Sequence, residues 1–233
     1  MSARGDRRTP RLLRPARQET YELLFATVYA GLMTNVLLAL TCAPLLAALA
    51  IVGDASWPFL AVLSLPCGPA LAGAFGGFAA LGDGSADVAR SFWRGYRRAA
   101  PRALLLWSGG AAAVGVLAVD VAAVAPTAWG PALVPFFLVM SALVVTVVFA
   151  LLVLVAGAAE PVRLRPLILP CLYLVVRRWY LPAFGLAVLG LAVAAVLLKP
   201  VAGIFLTASP LLYVAWATTR FALAPLLPPH PAR

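Results

Sequence analysis

Six largely apolar runs, each close to the length of a membrane crossing, constrain this chain more than any other feature. They cover 23–52, 58–81, 103–125, 132–157, 181–198 and 201–223. An α-helix needs about 20 apolar residues to cross the hydrocarbon core, and it satisfies its backbone polar groups internally where no water can. The chain is 64% hydrophobic and 11% charged, whereas a soluble domain is about 45–50% apolar and about 25% charged. These runs predict an all-α fold, a polytopic membrane helical bundle of six transmembrane helices, multi-pass in the cell membrane. The first run is about double the ~7–15-residue core of a signal peptide, so it reads as a retained helix, with Pro44 as its expected bend.

Charge sets the expected direction. Of 18 Lys and Arg, 17 fall on one side of this six-span layout. They lie in the N-terminal segment, in the loops holding Arg90–Arg102 and Arg163–Arg178, and at Arg220 and Arg233; Lys199 stands alone on the other side. Cytoplasmic loops retain basic residues, so both termini are expected in the cytoplasm, as a basic segment at 1–20 and a proline-rich tail at 224–233. Trp57 and Trp129 then fall in outer turns, where indoles anchor at the interface.

The stretch SFWRGYRR, 91–98, sets arginines among aromatics just before the third run. At about 100° per residue, Arg90, Arg94, Arg97 and Arg98 fall on one arc of a helix, and Val88, Phe92, Trp93 and Tyr96 fall on another. The expectation is a helix over 86–100 lying along the cytoplasmic interface, aromatics in the acyl boundary and guanidinium groups toward anionic headgroups. Pro101 would then occupy the first turn of the next span. A docking surface for a cytoplasmic partner is the competing reading. Nucleic acid is not expected, because a base stacked on the aromatics would leave its phosphate far from the arginines.

Little in the sequence points to chemistry. No carboxylate pair, Ser/His/Asp set or phosphate-binding glycine loop can be assembled, so no catalytic residue, no cofactor and no enzyme activity are expected. No metal site is expected either, since the one histidine is His230 and Cys42, Cys67 and Cys171 are scattered. The cysteines read as small buried hydrophobes. Inside the spans, Asn35 beside Thr34 should hydrogen-bond to a neighbouring helix, and Gly73 with Gly77 forms a small-x-x-x-small pair suited to helix packing or to a cavity wall. Asp54 and Asp120 sit toward the outer side, where a cation at a cavity mouth would find them.

Three segments together are similar to the YesL-like family of small bacterial membrane proteins, a domain of unknown function. They are NVLLALTCAP at 35–44, GPALAGAF at 68–75 and SFWRGYRRAAPRALLLW at 91–107. The resemblance covers about 21–223. It implies an accessory or scaffold role beside a carbohydrate ABC uptake system, with an ABC transporter subunit as partner, and it carries over no catalytic residue. EPVRLRPLILP at 160–170 echoes a permease coupling helix but lacks that element's central Ala-Ala and Gly. The alternative function is a small permease or channel for a neutral or apolar solute, built around Asn35 and the glycine-rich second run.

Overall fold

The computed structural model describes residues 16–51, 57–82, 87–158, 164–198, 203 and 207–226. The regular elements among them are α1 (Ala16–Thr41), α2 (Ala43–Ile51), α3 (Trp57–Leu63), α4 (Cys67–Gly82), α5 (Val88–Val124), α6 (Gly130–Gly157), α7 (Arg165–Arg177), α8 (Tyr180–Leu198) and α9 (Ala208–Ala222). A 3-10 turn at Ala224–Leu226 closes the described chain. The described residues are all-α, as the apolar runs predict. The terminal segments 1–15 and 227–233, Asp54, Ser85, Glu160, Arg163 and Lys199 lie outside the described residues, as does the side chain of Trp57.

Four stretches are long and apolar enough to cross a membrane: Pro58–Gly82, α5, α6 and α8. The bent pair α1–α2 makes five if it is counted as one span. The sixth expected span, 201–223, falls partly on residues outside the described ones; among the described residues it holds α9, 15 residues that reach about 22 Å at 1.5 Å each. By length and composition the chain remains a multi-pass membrane protein.

Proline explains why the first two runs are not straight. The α1–α2 pair bends by 71° at Cys42. Pro44 has no N–H to offer the Leu40 carbonyl and its ring crowds that oxygen, so the helical ladder cannot pass through unbroken. The bend predicted at Pro44 is thus expressed two residues earlier, between the Cys42 N–H···Leu38 O bond at 2.9 Å and the Leu46 N–H···Cys42 O bond at 3.0 Å. In the second run a tight turn ahead of Pro66 separates α3 from α4, held by Leu65 N–H to Val62 O at 3.2 Å and Cys67 N–H to Ser64 O at 2.9 Å. The Trp107 indole N–H of α5 donates to Ser64 Oγ there at 3.1 Å, tying the turn to the neighbouring helix.

Burial is concentrated at one end of the bundle. Leu37 and Leu38 of α1, Ala70–Phe78 of α4, Phe92–Ala103 of α5, Phe149 and Leu152 of α6, and Leu212 and Trp216 of α9 contribute to one core. A second cluster joins Ala150, Leu151 and Leu154 of α6 to Cys171 and Val175 of α7 and to Leu223. Between Leu104 and Val148, by contrast, only Gly130 is buried. An α5–α6 hairpin with Leu105, Val116, Phe136 and Leu138 exposed along it suits surroundings of lipid rather than water.

Glycines let α4 and α5 meet closely. A Cβ on Gly68 would lie 2.7 Å from Trp107 Cβ and 2.9 Å from the Ala103 carbonyl, and one on Gly73 would lie 3.0 Å from the Phe92 carbonyl. From the other side, a Cβ on Gly95 would lie 3.4 Å from Gly73 Cα. With no aqueous hydrophobic effect to drive helices together in lipid, close backbone approach of this kind supplies the van der Waals contact that does.

Candidate functional site

The basic-aromatic stretch does not form a separate helix. It is the first part of α5, whose 37 residues span about 55 Å and run from Val88 straight through Pro101 to Val124. Two expectations are corrected here: Pro101 is inside the helix rather than in the first turn of a new one, and the stretch is continuous with a span rather than an interfacial helix of its own. Pro101 is exposed, so its ring stays out of the α4 contact, and the glycine-lined packing carries the helix across it.

Helical geometry sorts the side chains. Val88, Phe92, Ala99 and Ala103 are buried against the bundle, and Arg90, Arg94, Arg97 and Arg98 are exposed. Phe92 is 0% exposed, with its ring against Gly73. That corrects its expected place at lipid or a partner: it is a core residue. Tyr96 stacks on Phe92 at 6.4 Å and meets Trp93 edge-on at 5.4 Å, so the three rings step from the core to the surface. Trp93, 38% exposed, completes the step. At 100° per residue it lies only about 40° from Arg97, so the aromatic and basic arcs adjoin at this residue.

Arg90, Trp93, Arg94, Arg97 and Arg98 line an open groove of 490 Å³. Arg90 lies 3.7 Å from Asp87 in an i,i+3 pair whose members are both largely exposed. Such a pair contributes little and is screened by salt. Among the described residues no carboxylate comes within 4.0 Å of Arg94, Arg97 or Arg98. Four guanidinium groups therefore face one carboxylate, a balance that draws anions. Planar guanidinium forks pair with carboxylate or phosphate oxygens two bonds at a time.

Three other arginines, Arg177, Arg178 and Arg220, have partners within the chain. Arg177 contacts the Tyr173 hydroxyl at 3.3 Å, Arg178 donates to the Phe221 carbonyl at 3.5 Å, and the Arg220 guanidinium lies 5.2 Å from the Trp216 ring centre. They pack or cap rather than wait for a ligand. Nearby on α7, burial pushes the Cys171 thiol up to about 11.

Asn35 has a different task. Its Oδ1 accepts the Ser209 N–H at 2.7 Å, and Ser209 is in the first turn of α9. Thr207, at the N-cap of α9, makes no side-chain cap, so Asn35 of α1 satisfies one of that turn's free donors from across the bundle. Thr34 turns back to its own helix, donating to the Ala30 carbonyl at 2.8 Å. Gly73 and Gly77 face Phe92 and Val88, which fill the space a cavity would need there. Among the described residues no three His, Cys, Asp or Glu gather to hold a metal, and Asp120 is half-buried near the end of α5.

Sequence reasoning missed the α5 continuity and the Trp107–Ser64 bond. Only the place of Trp93 beside the arginines could have been read from the helical angles. Comparison with protein-family models, curated proteins and solved structures gave no match.

Proposed function

We propose that this chain is a non-enzymatic membrane scaffold that holds an acidic segment of a partner protein in the groove of Arg90, Trp93, Arg94, Arg97 and Arg98, on the cytoplasmic face. The observation that carries the reading is the single helix α5. It fixes the arginines to a span while the bundle buries Phe92 and half-buries Tyr96, two of the rings that would otherwise sink into lipid. Along the axis, Arg98 lies about 9 Å and Arg90 about 21 Å before Leu104, where the apolar half of the helix begins. The headgroup layer adds only about 5–8 Å on each side, so most of the arginine ladder stands beyond it, within reach of a protein.

Two further lines support the reading. The excess of basic residues beside the apolar runs supports a cytoplasmic groove. The resemblance to the YesL-like family points to a subunit of a carbohydrate ABC uptake system as the partner. A photo-crosslinking side chain at Trp93, activated in native membranes, should join the chain to such a subunit. Replacing Arg90, Arg94, Arg97 and Arg98 with Gln should abolish the product. Crosslinks to lipid alone would overturn the reading in favour of headgroup binding, and solute flux through the purified chain in liposomes would overturn it in favour of a permease.

A further inference from the structure

Helix α7 is too short to cross a membrane and yet apolar on two sides. Its 13 residues reach about 20 Å, against a hydrocarbon core of about 30 Å. At about 100° per residue, Leu167, Cys171, Leu174 and Val175 share an arc of about 100°, and all four join the cluster with Ala150, Leu151 and Leu154 of α6 and with Leu223. A second arc, about 140° wide, carries Ile168, Leu169, Leu172, Tyr173 and Val176. All but Leu172 are exposed, Leu169 at 74%. The arcs adjoin on one side, and on the other a narrow sector with Pro166, Pro170 and Arg177 separates them. Pro170 has no N–H to give the Pro166 carbonyl, so this sector also carries a backbone acceptor that the helical ladder leaves open, and hydrocarbon offers such a group no partner. Around its axis, α7 therefore shows the bundle, an open apolar arc and one polar edge.

Two neighbours fix the depth of this helix. At 28 residues α6 is about 42 Å long, so it projects about 6 Å beyond the core at each end when centred. Ala150 to Leu154, against which α7 packs, lie about 5–11 Å before its last residue and so stand at the core boundary. At 19 residues α8 is about 28 Å long and matches the core, which puts Tyr180 at the same boundary and Trp179, 71% exposed, directly outside it. Arg177, the last residue of α7, is only three positions before Tyr180. We propose that α7 lies along the cytoplasmic surface of the bilayer, with its open arc immersed in lipid tails and its polar edge in the headgroup layer. Lipid on the open arc is then continuous with lipid on α8, which exposes Phe184 and Leu191. Arg165, exposed in the first turn, can lay its stem along the arc and lift its guanidinium to the phosphates, while Arg177 keeps its contact with the Tyr173 hydroxyl at the polar edge. Among the described residues neither arginine has a carboxylate within 4.0 Å, so anionic headgroups complement both. A protein covering the arc would have to reach the level of the core boundary, where lipid already stands. The interfacial role expected of 86–100 thus belongs to α7, because the bundle takes Phe92 and leaves Leu169 and Tyr173 outside. This placement is independent of the arginine groove on α5.

The test uses the purified full chain in vesicles of phosphatidylcholine and phosphatidylglycerol, with no other protein present. Nitroxide side chains are attached singly at Leu169→Cys, Val176→Cys and Arg177→Cys, in a chain carrying Cys42→Ala, Cys67→Ala and Cys171→Ala. Labels at positions 169 and 176 should collide severalfold more often with oxygen than with a water-soluble nickel chelate, and the label at 177 should show the reverse. The unsubstituted chain gives a second reading that does not hang on those variants. Lipid carrying a diazirine in its tail should, on irradiation, leave adducts within α7 as well as on α8. Equal nickel access at all three labelled positions would overturn the proposal, because the open arc would then stand in water. Poor access of both quenchers at 169 and 176, with spin–spin broadening, would overturn it in favour of a second copy of the chain. Tail adducts on α8 with none on α7 would overturn it as well.

Discussion

Phe92→Ala separates the two roles an aromatic can have on α5. A ring resting in the acyl boundary would lose little of the fold's stability when removed, because lipid fills the space. Phe92 is 0% exposed, wedged against Gly73 of α4 and stacked with Tyr96. Its removal leaves a cavity in close packing that the glycine-lined backbone cannot fill, and buried Phe→Ala changes cost about 3–5 kcal/mol. Trp93→Ala on the same turn is the comparator. Trp93 is 38% exposed and lines the groove, so its loss should cost under about 1 kcal/mol. Reversible unfolding in mixed micelles, followed by tryptophan fluorescence with Trp107 as reporter, should show the two variants separated by about 2 kcal/mol or more. If Phe92→Ala and Trp93→Ala prove equally mild, the α4–α5 contact is not the core of the arginine-bearing end, and the rigid-ladder argument fails with it.

The same contact can be tested by filling rather than emptying it. Gly68→Ala would place a Cβ 2.7 Å from Trp107 Cβ and 2.9 Å from a backbone carbonyl, so overpacking should destabilise the bundle by about 1–3 kcal/mol in the same unfolding assay, whereas Gly109→Ala, with nothing within 4 Å, should be neutral or better. Asn35→Ala removes the acceptor of the Ser209 N–H and should cost about 1–3 kcal/mol, with amide exchange at Ser209 accelerating before exchange elsewhere in α9. Burial raises the Cys171 thiol from 9.0 to about 11, and only the thiolate alkylates, so reaction with iodoacetamide should climb with pH through about 11. At pH 9 it should run about fiftyfold below an exposed thiol of equal nucleophilicity, and a midpoint near 9 would contradict the burial.

How much of this was legible in the sequence depends on how far away the deciding partner lies. The apolar runs fix helices locally, and α6 and α8 follow the predicted boundaries within one or two residues because nothing interrupts them. The boundary at Pro101 failed because proline and a change from charged to apolar residues both signal a helix start. What overrides them is the row of small residues on α4, which packs along α5 on both sides of Pro101, from Gly77 opposite Val88 to Gly68 opposite Ala103. Phe92 failed for the same reason: its neighbours in sequence look like an interfacial belt, and the residue that buries it is Gly73 on another helix. Asn35 shows the intermediate case. Its need for a partner is local chemistry, but the partner, Ser209, is 174 residues away.

The arginine ladder marks the limit of that legibility in the other direction. Sequence placed the charges on one helical arc correctly, because angular position needs only the 3.6-residue repeat. Whether an exposed arginine serves topology or a ligand depends on what stands around it. Arg220 lies against Trp216 and Arg178 against the Phe221 carbonyl, and both therefore have work within the fold. Arg94, Arg97 and Arg98 share a groove with Trp93 and no described carboxylate within 4.0 Å. Topology requires only that positive charge remain on one side, which the arginines of other segments already ensure. It does not require those charges to converge on a groove beside an exposed indole, and that convergence is the feature a ligand-free account of the ladder leaves unexplained.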